Sequence, residues 1–545
     1  MSVTLVKALL LATLASNLVN AWGPRLQPRL QQPNKLPFLS ATAVGNPTAH
    51  EVLDERIGAW MPVASITSLA GLGPTRVVLL GTQLVVWQAD EKDFNSWSVL
   101  PDICTHRLAP LSQGRVDPVT NCLECPYHGW QFEQSGACSK IPQLEPCKGI
   151  PSVANSEAYP VRITGDVLWC FFDQQDGLCG AEALPFSFFP EARFPVLNTA
   201  ANTYTRELPY SFDFLVENFM DPSHIPFAHH GLQGTREDGG PTPMSVLVSN
   251  DTHIEVAYED VVRGKPREGV VSFARPCFYH FRTRETPTAT AGENLQPLRD
   301  GSEQGDGSDQ LQTPVPKEKM VMLMLCVPVE PGKSRLFITS RKFPFPFSAL
   351  PVWLLHALSS RFVDSDVWLH DAERNALATK PNPLRYVLPT GSDLGCSAFR
   401  AWWRDKGMAK SGSLFGEPAA ATAGLAPTAA AASTSGFPWI SKAEQLDRVA
   451  YHTENCAACS RALRTAKKLH RRALPGAALL LLALGNAGSS STAVPLVKFV
   501  TCTKGRVAAL ALACALRAVA AKAIRAIGGP GAAGSELPRR SEAAE

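Results

Sequence analysis

No stretch of about twenty uninterrupted apolar residues occurs in this 545-residue chain, so no segment reads as a simple membrane-spanning helix. Strong charge of either sign is also missing. A net charge of +3, with no Lys/Arg stripe interleaved with aromatics, argues against a nucleic-acid partner. Cysteine is not dense: 14 residues are spread along the whole length, unlike a small disulfide-stapled secreted domain. No long-period internal repeat is present, which excludes a solenoid. Acidic residues are absent before Glu51. What remains is 45% hydrophobic and 19% charged, a globular balance, and too long for one ordinary core. Several cysteines stand at metal-like or redox-like spacings, which favours a reducing compartment with metal chemistry.

The amino terminus reads as an address. Lys7, the apolar run "ALLLATLA" and small residues up to Ala21 form a signal-peptide pattern. The following basic, acid-free segment carries Arg25, Arg29 and Lys35 and has transit-peptide character. An ordinary secretory signal or an N-terminal anchor is the competing reading. Residues 1–50 are therefore set apart from the fold.

Strand signals fill 55–175, including "RVVLLGTQLVVWQA" broken by Gly81, and "VLWCFFD" at Val167–Asp173. A Pro-rich link, "LPFSFFPEARFP", opens a second unit over 176–405. Its strand signals include "MVMLMLCVPV" and "RLFITSRKFP". A polar insert from Glu285 to Lys317, ahead of both runs, interrupts the strand signals of this unit and predicts a mobile surface loop. "RFVDSDVWLHDAERNALA", Arg361 to Ala378, predicts one helical segment. Residues 406–440 form a low-complexity linker, 441–470 hold a Cys-x-x-Cys segment, and 471–528 carry two interrupted apolar segments.

The first chemical constellation is Cys104-x-His106, eighteen residues, then Cys125-x-x-His128. Two loops each offer one thiolate and one imidazole, the ligand set of a [2Fe–2S] centre in which two histidines replace two cysteines on one iron. Pro126 and Gly129 suit tight loops around a cluster. A Cys2His2 zinc site uses the same residue types, although the mixed order in both halves is unusual for it. A Cys122-x-x-Cys125 redox pair or zinc knuckle would leave Cys104 and His106 unexplained.

The second is "ENFMDPSHIPFAHHG", containing Asp221-x-x-His224-x4-His229. Two histidines and one carboxylate bind non-haem Fe(II) and leave positions open for O2. Histidines five apart lie about 140° apart on an ideal helix, so Pro226 is expected to break it and let them converge. His230 is an adjacent rival. Asp364, Asp366, Asp371 and Glu373 are candidate third ligands, and a solvated helix face is the ordinary fate of such acids.

The third is Cys456-x-x-Cys459, with Arg461 and Arg464 nearby. Such a pair can cycle between dithiol and disulfide, and two helix-packed thiols are the bland alternative. Beyond it lie "RALRTAKKLHRR", "ALPGAALLLLALG" and "VAALALACAL", readable as a hairpin of short spans or as surface-bound helices.

The flanks "CTHRLAPLSQGR" and "CLECPYHGWQFEQSGACSKIPQ" resemble the Rieske domain of plastid Rieske oxygenases, and most nearly the pheophorbide a oxygenase branch. The resemblance covers roughly 55–400 plus the Cys-x-x-Cys tail. It implies an α+β chain: an antiparallel β Rieske domain, then a helix-grip (START-like) catalytic domain, then C-terminal membrane-associated helices. It implies a [2Fe–2S] cluster on Cys104, His106, Cys125 and His128, with Cys122 and Cys138 as free buried thiols. Mononuclear Fe(II) would sit on His224, His229 and Asp366, the second acid of an Asp-x-Asp element. Asn218 would position a ligand or water, and Asp221 would bridge the two iron centres between subunits of a head-to-tail homotrimer. Reduced ferredoxin would supply electrons for O2 insertion into a tetrapyrrole, with pheophorbide a first and chlorophyllide a or protochlorophyllide as sisters. Cys456 and Cys459 would form a thioredoxin-sensitive switch. The N-terminus resembles the bipartite presequence of complex algal plastids, with Trp22 after the first cleavage point, and implies a thylakoid or inner envelope location. A Rieske redox or import component, or a zinc-binding structural protein, are the readings from other classes.

Overall fold

The structure is a computed structural model that describes residues 59–172, 194, 197, 202–285, 320–339, 350–378, 387–405, 439–487, 503–530 and 532. The presequence, most of the Pro-rich link, the polar insert and all but the last two residues of the low-complexity linker lie outside them.

The first module is built from short antiparallel strands. β1 (Ala59–Ser65) pairs with β10 (Val167–Phe172), which pairs with β9 (Val161–Thr164). β2 (Thr75–Leu79), β3 (Thr82–Gln88) and β4 (Trp97–Pro101) form a meander. The expected break at Gly81 is a two-residue hairpin loop. Leu79 pairs with Thr82, and Leu80 and Gly81 both take positive φ, 50° and 77°, the backbone twist that lets such a short loop follow a twisted ribbon. A second meander joins β5 (Arg115–Val116), β6 (Leu123–Glu124), β7 (Gln131–Phe132) and β8 (Cys138–Lys140).

The second module centres on a seven-stranded antiparallel sheet. Its strands are β11 (Tyr204–Leu208), β12 (Met244–Ser249), β13 (His253–Val262), β14 (Lys265–Ala274), β15 (Phe278–Glu285), β16 (Met320–Glu330) and β17 (Lys333–Thr339). Their order across the sheet is β11-β17-β16-β15-β14-β13-β12. The continuous apolar run in β16 has a physical reason: both faces are covered. Leu323, Leu325 and Val327 join a core with Trp60, Trp169 and Leu168 of the first module. Met324 and Cys326, pointing the other way, join a core of helical residues including Phe214, Phe399 and Trp402. Phe337 is fully buried between the modules, and such burial contributes roughly 1.5–3 kcal/mol.

Helices α1 (Phe212–Phe219), α2 (Val352–Asp364), α3 (Leu369–Ala378) and α4 (Leu394–Asp405) follow or flank the sheet. The single helix expected over 361–378 is in fact two. From Ser365 to Leu369 the amides bond back three residues, Asp366 N to Val363 O and Leu369 N to Asp366 O. This tighter winding ends α2 and re-aims the chain at Asp366.

The C-terminal part folds as α5 (Ala457–Ala487) packed against α6 (Thr503–Gly528). The basic flank and the first apolar segment are one helix, not a flank and a separate span, because Ala, Leu, Arg and Lys all favour helix and Pro475 does not terminate it. Among the described residues, no helix is long and apolar enough to cross a membrane.

Candidate functional site

Two loops of the first module have the same backbone plan. Cys104 N–H donates to the Ala109 carbonyl and Cys125 N–H to the Trp130 carbonyl, each at 2.8 Å. Leu108 N–H returns to the Cys104 carbonyl and Gly129 N–H to that of Cys125. The fourth residue after each cysteine takes positive φ, 57° at Leu108 and 72° at Gly129. These matched turns place both sulfurs inward, at 1% and 3% exposure, and both imidazoles outward. The His106 and His128 rings lie 4.6 Å apart, and His106 stacks on Trp130 at 4.6 Å and 3°. Burial, aided by the neighbouring Cys125 thiol, pushes the Cys104 thiol up to about 11. Two inward thiols beside two outward imidazoles fit a cluster with a sulfur-bound and a nitrogen-bound iron. A tetrahedral zinc ion would instead draw all four donors to one point. The described residues bring donors within 4.8 Å of one another in two sets only, and this quartet is not one of them. Cys122 and Cys138 are buried free thiols, as expected, bonded to the Thr120 and Lys140 carbonyls.

One of those two sets is His224, His229 and Asp366. The histidines converge, but not because Pro226 breaks a helix. Pro222–His224 is a 3-10 turn that passes directly into a one-turn helix, Ile225–Ala228, with His224 as its N-cap and His229 as its C-cap. Pro226 sits in the first turn, where its missing N–H is not needed. His224 Nε2 and His229 Nε2 come within 3.2 Å, and Asp366 Oδ2 is 3.4 Å from His229 Nε2.

Each donor is held from behind. His224 Nδ1 bonds the Asp221 carbonyl, and His229 Nδ1 bonds Ser365 Oγ at 2.7 Å. Asn218 Nδ2 donates to Asp366 Oδ2 at 3.2 Å. Burial lowers His229 to about 3 and raises Asp366 to about 6, so the bare site disfavours charge on either group. Asp366 Oδ1 is buried without a hydrogen-bond partner. A buried carboxylate with one orphaned oxygen, its other oxygen beside converging imidazole nitrogens, fits a divalent metal such as Fe(II).

The rival acids are occupied elsewhere. Asp364 pairs with Arg206 at 2.5 Å and with Arg448 at 2.6 Å. Asp371 accepts from Gln445, and Glu373 accepts from the Ser211 amide and hydroxyl. His230 Nδ1 accepts from the Arg236 amide and is not in the cluster. Asp221 Oδ1 accepts from the amide and hydroxyl of Ser223, capping the 3-10 turn. Ser365 escaped the sequence reading, although its place between the two acids of the Asp-x-Asp element was visible.

Comparison with known proteins matches residues 59–156 to the Rieske [2Fe-2S] domain and residues 273–383 to the pheophorbide a oxygenase family. Pheophorbide a oxygenase of Oryza sativa is 30% identical over 438 residues, covering 76% of this chain and 74% of that one. The chain belongs to the Rieske-type non-haem iron oxygenases, in the branch that includes pheophorbide a oxygenase. The protochlorophyllide-dependent translocon component 52 of Arabidopsis thaliana is also 30% identical, over 74% of this chain and 72% of its own. Flavonoid 8-hydroxylase 2 of Ocimum basilicum is 29% identical over 82% and 83% respectively. All three relatives are chloroplastic. As an oxygenase of this family the protein is an oxidoreductase that uses a Rieske cluster, a mononuclear iron and O2.

Proposed function

We propose that this oxygenase inserts oxygen from O2 into a chlorophyll-type tetrapyrrole, with pheophorbide a as the substrate and reduced ferredoxin as the donor. The observation that carries the reading is the pheophorbide a oxygenase match over 273–383, a stretch that holds strands β15 to β17 and the whole 361–378 acidic segment. The cofactors supply stored electrons and O2 activation when bound. Cys104, His106, Cys125 and His128 hold the cluster, and His224, His229 and Asp366 hold the iron. Asn218 orients the carboxylate, and Ser365 orients His229. Seven strands with helices on one face support the helix-grip assignment.

Around the outward imidazoles three large apolar side chains stand exposed beside Arg107: Leu108 is 74% exposed, Tyr127 56% and Ile103 45%. Such a patch supports a subunit contact there. The assembly is a head-to-tail homotrimer, with Asp221 linking the iron-site histidines of one subunit to the cluster histidines of the next. The chloroplastic relatives and the presequence support a plastid location, and the α5–α6 hairpin attaches the protein to the thylakoid or inner envelope surface.

The test is O2-dependent turnover of pheophorbide a by iron-replete protein with reduced ferredoxin. A ring-opened product supports the proposal. No product from a preparation with an intact cluster spectrum overturns it and makes protochlorophyllide, named in a relative of equal identity, the next substrate to assay.

A further inference from the structure

The second convergent donor set has no part in the oxygenase chemistry. It joins His356 of α2 to His452, Cys456 and Cys459 of the C-terminal segment, and the four donor atoms lie within 4.8 Å of one another. All are buried, with 3%, 4%, 1% and 1% exposure. We propose that these four residues form a tetrahedral Cys2His2 zinc site that fastens the C-terminal segment to the catalytic domain.

Three observations carry it. First, the distances are right. His356 Nδ1 is 3.5 Å from Cys456 Sγ and 3.6 Å from Cys459 Sγ, and His452 Nε2 is 3.3 Å from Cys459 Sγ. Zinc bonds of about 2.3 Å to sulfur and about 2.0–2.1 Å to nitrogen set tetrahedral S···N edges of about 3.5 Å. Second, both imidazoles are prepared as ligands. The His356 Nε2–H donates to the Asn202 carbonyl at 3.3 Å, and the His452 Nδ1–H donates to the Thr205 carbonyl at 2.6 Å. Each ring therefore turns its remaining lone pair toward the sulfurs, the outer hydrogen bonding that metal-ligating histidines show. Third, charge balances. Two thiolates and two neutral imidazoles around a dication leave no net charge in a buried place, whereas a lone thiolate there would be costly.

Thiolate with imidazole in tetrahedral array selects zinc over the hard oxygen-seeking cations. The ion would close a long loop, since His356 lies 100 residues before Cys456. It would also brace α2, whose next turn carries Asp366. Two buried sulfurs at 1% exposure give a protein reductant no access, so a structural metal accounts for the Cys-x-x-Cys pair better than the redox switch expected from its spacing.

The experiment is metal analysis and zinc-edge X-ray absorption on the full-length, iron-replete protein, purified without a metal-binding tag. About one zinc per chain beyond the irons, with sulfur neighbours at about 2.3 Å, is the expected result. Cys459→Ser and His452→Gln are expected to lower zinc at least about tenfold, while Asp366→Asn keeps it. Absence of zinc, zinc with only nitrogen and oxygen neighbours, loss of zinc in Asp366→Asn, sulfur found only around iron, or a Cys456–Cys459 disulfide in the native protein would each overturn it. The readout does not depend on turnover, so failure of the tetrapyrrole proposal leaves it standing.

Discussion

Ser365 Oγ accepts the His229 Nδ1–H across 2.7 Å and donates its own proton to the Phe362 carbonyl at 2.5 Å. This relay fixes the tautomer of His229 and presents Nε2 to the metal position. Ser365→Ala is expected to lower iron affinity or turnover about 10–100-fold, the usual effect of removing an outer partner of a metal-ligating histidine. The Rieske absorption spectrum should not change. Iron titration and single-turnover rates check this, and unchanged affinity and rate would show that His229 needs no such support.

Asp364 and Asp366 are two residues apart with different roles, and a matched pair of variants separates them. Asp366→Asn preserves the Asn218 neighbour but removes the charge, so mononuclear iron and turnover should be lost with little change in melting temperature. Asp364→Asn leaves Arg206, 1% exposed, without its carboxylate. Breaking a buried pair in this way costs about 3–5 kcal/mol, so this variant should melt early while its surviving folded fraction still binds iron. The opposite pattern would exchange the roles.

Glu373, which belongs to neither convergent donor set, supplies a pH test. Burial raises its carboxyl from an ordinary 4.5 to about 7, against the opposing Ser211 hydrogen bonds. The folded state thus holds this proton more tightly than the unfolded chain. The resulting stability is fully present below 4.5 and is lost as pH rises through about 7. Denaturant midpoints of wild type against Glu373→Gln across that window should converge at low pH and diverge at high pH, with the variant the more stable. Parallel curves would mean that Glu373 keeps its ordinary affinity for the proton.

Leu108→Glu addresses assembly. Leu108 lies in the first cluster loop with its side chain at the surface, 74% exposed, so a charge there leaves the monomer core untouched. Light scattering should show a fall from trimer to monomer, and multiple-turnover activity should collapse with the cluster spectrum intact. A monomeric wild type would remove the premise.

Much of the site is legible in the chain itself. Cys104-x-His106 and Cys125-x-x-His128 are local patterns, because a cluster loop is a tight turn whose donors must stand a few residues apart. The β2–β3 hairpin was readable for the same reason, at Gly81. The run in β16 announced a strand but not its setting, since burial on both faces depends on what covers each one.

Sequence alone determined the donor types, the local spacings and the family. Only tertiary structure decided which acid stands beside His224 and His229, because four acids within ten residues differ by where a tightened helix end aims them and by which partners claim the others: Arg206 and Arg448 for Asp364, Gln445 for Asp371, Ser211 for Glu373. Only tertiary structure joined His356 to His452, Cys456 and Cys459. No periodicity links residues 100 positions apart; they meet because α2 and the C-terminal segment pack against the same edge of the sheet, where the Asn202 carbonyl just before β11 holds one imidazole and the Thr205 carbonyl within it holds the other.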